Sequence, residues 1–80
     1  MELRFALTES QITSARSRLS SLGIPLTGNT GTLTAKGITA EYEYHPGPGY
    51  LIVRVTKKPT LITEALVRVK LEEWLGVRAE

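Results

Sequence analysis

The sequence predicts an α+β domain of order β-α-β-β-β-α, an antiparallel meander sheet with both helices packed on one face. Three observations predict it. Apolar residues alternate at the start of the chain and again between Leu33 and Val55, the pattern of half-buried strands. Two other segments, one near each end, switch to helical spacing. Finally, Lys36-Gly37 and Pro46-Gly47-Pro48-Gly49 fall where hairpin turns belong, and the two turns independently give one inward-facing set of side chains.

Leu3, Phe5 and Leu7 alternate with Glu2, Arg4 and Ala6, which reads as the first strand. Thr8 and Gln11 then form a capping box, with Leu7 and Ile12 as its hydrophobic staple. Ile12, Ala15, Leu19 and Leu22 share one helical face, Gly23 offers a positive-φ stop, and Ile24 can pack back on Leu19. Pro25 prevents continuation, so the first helix is expected over Glu9–Leu22.

Leu26 to Gly31 is rich in turn residues. A two-residue turn at Lys36-Gly37 sets Ala35 opposite Ile38, Leu33 opposite Ala40 and Thr34 opposite Thr39. The PGPG loop sets Tyr44 opposite Leu51, Tyr42 opposite Val53 and Ala40 opposite Val55. On the other face it sets Glu41 opposite Arg54 and Thr39 opposite Thr56. A one-residue slip would turn every one of these side chains to the wrong face. Lys57-Lys58-Pro59 closes the last strand, because proline cannot donate to a ladder. Thr60 is the expected N-cap of a last helix over Leu61–Leu75, with Gly76 as its stop.

Eighty residues fit a single domain spanning 1–80, with no repeat or linker. Cysteine is absent, so packing or association must supply what disulfides supply elsewhere. Apolar residues at 41% and charged residues at 22% describe a globular chain. No apolar run approaches the roughly 20 residues that span a bilayer. MELRFALTES carries charges within its apolar pattern, unlike a secretory signal, and a cytoplasmic location is the expectation. The formal charge is +2, and Glu41, Glu43, Glu72 and Glu73 break up the scattered lysines and arginines. The absence of aspartate and the single histidine exclude Ser-His-Asp triads, Asp-rich calcium loops and multi-histidine metal sites. No catalytic, cofactor or metal-ligating residue is therefore expected.

Several segments were candidates for chemistry. His45 could be a general base assisted by Glu43, but both side chains point to the outer sheet face, away from any evident pocket. The serines of the first helix lack an adjacent base and read as its solvated side. Gly28-Asn29-Thr30-Gly31 could cradle phosphate, yet a strand follows it where a phosphate loop needs a helix N-terminus. Lys36, Arg54, Lys57 and Lys58 form the one local basic concentration, a candidate nucleic-acid contact that reads better as solvated charge at a strand end. The α-β-β-β-α part resembles the double-stranded-RNA-binding domain, with a lysine pair before the last helix. That family, however, has its GPxH-type loop between its first two strands and a lysine run on the last helix.

The last helix carries two apolar stripes. Leu61, Ile62, Ala65, Leu66 and Val69 form one broad face, the expected cover of the sheet. Val67, Leu71 and Trp74 form a second stripe with Leu75 beside it, more than a helix with one core-facing side needs. Either the small domain wraps this helix deeply, or the second stripe is an interface for a homodimer or another protein, centred on Trp74. The expected function is accordingly a non-catalytic interaction or self-association module working through the last helix. RNA binding by the basic cluster is the alternative.

Gly37-Ile38-Thr39-Ala40-Glu41-Tyr42-Glu43-Tyr44 is similar to the G-x-D-G-x-I-x-I segment of the small polyhydroxyalkanoic-acid-system proteins. A valine-rich strand and a terminal amphipathic helix follow in both. Thr39 and Ala40 replace that family's Asp-Gly pair, and Leu26 stands where it has a tryptophan. The resemblance implies a granule-associated or interaction role and carries over no catalytic residue.

Overall fold

A computed structural model describes residues 1–80. Its elements are β1 (Glu2–Ala6), α1 (Glu9–Ser21), β2 (Thr30–Ala35), β3 (Ile38–His45), β4 (Tyr50–Lys57) and α2 (Glu64–Leu75). The strands form one antiparallel sheet in the order β1-β4-β3-β2. Both helices cover the face on which Phe5, Leu33, Ala40, Tyr42, Tyr44, Leu51 and Val53 are buried, and the other face stays open. The order and class are those the sequence predicts.

α1 begins as its capping residues dictate. Thr8 Oγ1 accepts from the Gln11 amide at 3.2 Å, and Gln11 Oε1 accepts from the Thr8 amide at 2.9 Å. Two of the four otherwise orphaned helix-start donors are met this way, and Leu7 and Ile12 are both buried around them. At the other end Gly23 takes φ 77°, its amide bonds the Ser20 carbonyl, and Ile24 donates to Leu19 at 2.8 Å. This is the Schellman pattern, and it carries the chain into the core through buried Ile24 and Leu26.

The meander keeps the expected register almost throughout. Lys36 and Gly37 both adopt positive φ, 54° and 80°, so Ala35 lies opposite Ile38 and Leu33 opposite Ala40. Across the second hairpin Tyr44 pairs with Leu51, Tyr42 with Val53, Glu41 with Arg54 and Ala40 with Val55. One expected pair is corrected: Thr39 faces Lys57, because the register shifts between Thr39 and Ala40. Thr56 is left over, and its hydroxyl donates to the Thr39 carbonyl at 3.2 Å in place of a regular ladder bond. Both core tyrosines satisfy their hydroxyls, Tyr42 on the Thr27 carbonyl and Tyr44 on Leu7. The tyrosines thus act as apolar plates with anchored tips.

β1 joins β4 with Leu3 opposite Val53 and Phe5 opposite Leu51, completing the inner face. Its outer edge is closed by the residues after α2. Phe5 bridges to Ala79, and the Glu80 amide donates to the Arg4 carbonyl at 2.7 Å. α2 holds this segment in place: Glu72 accepts from the Ala79 amide at 2.8 Å, and Arg68 donates to the Ala79 carbonyl at 3.2 Å. β2, at the opposite edge, pairs with β3 only.

The last helix departs from expectation twice. It starts at Glu64 rather than Leu61, with Thr63 rather than Thr60 as N-cap; Thr63 Oγ1 accepts from the Leu66 amide at 3.2 Å. The preceding residues form a separate turn, in which Ile62 donates to the Pro59 carbonyl and Lys58 Nζ caps the Ile62 carbonyl at 2.8 Å. The two stripes are also exchanged. Val67, Leu71, Trp74 and Leu75 are buried in the chain's own core, whereas Leu66 and Val69 are about half exposed and Leu61 is 94% exposed. The late start explains the exchange. It takes Leu61 and Ile62 out of the helix, so the first stripe keeps only Ala65, Leu66 and Val69. The other stripe offers an indole, two leucines and a valine, and the larger apolar area takes the core.

Two outcomes follow in denaturant unfolding. Leu71→Ala should cost roughly 2–5 kcal/mol, whereas Val69→Ala should cost less than about 0.5 kcal/mol; comparable costs would contradict the exchange. Glu72→Ala should cost about 1 kcal/mol and speed hydrogen exchange at the Ala79 and Glu80 amides, without affecting the β3–β4 amides.

Candidate functional site

Each residue singled out in the sequence has a definite place. Trp74 is 8% exposed and lies with Val67, Leu71 and Leu75 in the core of the chain, so a contact centred on it has little surface to offer. The apolar surface of the same helix lies on its far side. At 100° per residue, Ala65, Leu66 and Val69 fall opposite the buried stripe, and Leu61 precedes them in the turn before the helix. The Lys70–Glu73 ion pair, at 3.7 Å, borders this strip.

The basic residues are only partly brought together. Gly37 packs on Pro59, which leans the β2–β3 turn, and Lys36 with it, toward the Lys57–Lys58 end of the sheet. Lys58 is engaged by the Ile62 carbonyl. Arg54 is separate from them, in the middle of the outer face, 3.4 Å from Glu2 and directly opposite Glu41. A phosphate backbone approaching Arg54 would meet two carboxylates first.

The outer sheet face is a charge ladder set by the same register that builds the core. Glu2, Arg54 and Glu41 form one row across β1, β4 and β3, and Arg4, Ile52 and Glu43 form the next. His45 Nε2 lies 2.8 Å from Glu43 Oε1, so the carboxylate does orient the imidazole. The imidazole stacks on the Tyr50 ring at 4.5 Å, and the Arg4 guanidinium lies 4.0 Å from the same ring. Those contacts account for His45 as part of a half-buried polar cluster, with no nucleophile hydrogen-bonded to it. A shallow depression of about 280 Å³ beside Glu41, Glu43 and Arg54 is open to solvent.

No three His, Asp, Glu or Cys side chains gather as metal ligands would, and no helix is long and apolar enough to cross a membrane. The sequence reading missed the outward strip of α2 and the segment that closes β1. The strip could have been found by comparing the apolar area of the two stripes once Thr63 was considered as the N-cap. Compared with known protein families, curated proteins and solved structures, the chain matches none.

Proposed function

We propose that this domain is a cytoplasmic, non-catalytic interaction module that binds a protein partner through the outward face of α2. The reading rests on one observation: Leu61, Leu66 and Val69 stay in water on a segment whose other side already fills the core. Solvent-facing apolar side chains cost free energy that a partner recovers, at about 25 cal/mol per Å² covered. Leu66 and Val69 are three residues apart and Ala65 and Val69 four, the spacing with which a helix presents anchors to a groove or a second helix. The resemblance to granule-associated proteins supports an associating role. Arg54 engaged by Glu2, and Lys58 by Ile62, leave the RNA-binding alternative with less support.

Affinity capture from the source cells, comparing the wild type with Leu66→Glu/Val69→Glu, tests the proposal. Both residues are exposed, so the double variant should keep the wild-type circular dichroism. At least one protein retained by the wild type should fall by tenfold or more on the variant. Identical retention by the two would overturn the assignment to α2.

A further inference from the structure

The two edges of the sheet are treated differently. β1 carries Glu2 and Arg4 and is closed by Ala79 and Glu80. β2, Thr-Gly-Thr-Leu-Thr-Ala, has no charge and no proline, two of the usual means of blocking an edge. The direction of its free groups follows from the ladder. The Tyr44 amide donates to the Asn29 carbonyl at 2.6 Å, and bonded pairs alternate along an antiparallel pair. Gly31, Leu33 and Ala35 therefore bond to β3, while Thr30, Thr32 and Thr34 point their amides and carbonyls away from the sheet.

We infer that this edge pairs with β2 of a second copy, antiparallel about a two-fold axis at Thr32, making one continuous sheet across two chains. The sequence of the strand is self-complementary in that arrangement. Thr32 meets Thr32 of the second copy, and Thr30 meets its Thr34, so the outward-pointing groups form three bonded pairs and about six hydrogen bonds. Side chains keep their faces: threonines meet threonines on the outer side, and Gly31 meets Leu33 of the second copy on the helix side. Gly31 is fixed by its own chain, because a Cβ there would lie 2.7 Å from the Tyr42 hydroxyl. The Tyr42 ring fills that space, and Leu33 is already buried in its own chain. No charged side chain of β2 is brought against its like. Leu22, 56% exposed, lines a groove beside the Thr34–Lys36 end of the strand, where the second chain would cover it. A copy of the same strand therefore satisfies the edge without unpaired charge or a change of face, which is the reason for assigning a second copy rather than an unrelated peptide.

This pairing goes beyond the α2 reading and rests on different residues. Sedimentation equilibrium over about 5–500 μM, the range where an interface of this small size is populated, should show the 8.8 kDa chain doubling its mass. Thr32→Pro removes an edge-facing amide that takes no part in the β2–β3 ladder and should abolish the dimer while leaving the circular dichroism unchanged. Thr32→Lys sets two ammonium groups face to face and should weaken the dimer tenfold or more at low salt, less at high salt. The second variant decides the matter if the first fails to fold. Leu66→Glu/Val69→Glu should dimerise like the wild type. A wild type that stays monomeric throughout, or a dimer that survives both Thr32 variants, would overturn the inference. A dimer lost only with the α2 variant would assign self-association to α2 instead.

Discussion

The rest of this structure depends on the limited room above one face of a four-stranded sheet. Two helices share that room, and the buried set they make with the sheet contains no charged side chain. α1 commits Ile12, Ala15 and Leu19 to it, with Ile24 and Leu26 following from its Schellman end. α2 arrives with two apolar stripes and space for one. Trp74, Leu71, Leu75 and Val67 outweigh Ala65, Leu66 and Val69 in apolar area, so the helix turns that way and leaves the lesser stripe in water. That rotation also aims Arg68 and Glu72 at the segment that closes β1. The exposed strip, the sealed edge and the buried tryptophan thus share one cause.

The parts legible in the sequence are those decided by neighbours in the chain. The Thr8–Gln11 box, the Gly23 stop and the positive-φ turn at Lys36-Gly37 are each written within a few residues, and each forms as read. The inward set of the meander is legible because a slipped register would reverse every face of β2, β3 and β4 together. What was not legible depends on competition between distant groups. The partner of β1 could not be read, because Leu3 and Phe5 fit any strand with an apolar face. The exchange of the α2 stripes reflects a comparison of areas against a core already half filled. The Thr39–Thr56 pair fails because a side-chain hydroxyl offers the Thr39 carbonyl an alternative, which alternation does not encode.

The same register that builds the core also shapes the surface. Residues between the buried positions make the rows of Glu2, Arg54 and Glu41 and of Arg4, Ile52 and Glu43, with His45 held between Glu43 and Tyr50. These rows mix charges of both signs, with Arg54 paired to Glu2, which favours solubility over a field of one sign. The surfaces open to association lie elsewhere. The outward strip of α2 offers apolar area, and the β2 edge offers ordered hydrogen-bonding groups. The two are chemically different: the first suits a partner of another sequence, and the second suits a strand like itself. The two surfaces share no residue, so pairing at the β2 edge, as proposed, would not use the α2 strip.

The central claim is that α2 buries the stripe containing Trp74 within its own chain. Trp74 is the sole tryptophan, so its fluorescence reports on that claim alone. At concentrations low enough for a single chain, the account predicts emission shifted well to the blue of free tryptophan, weak quenching by iodide and no change on further dilution. Red-shifted, readily quenched emission from the folded monomer would contradict it, because Trp74 would then lie outside the core.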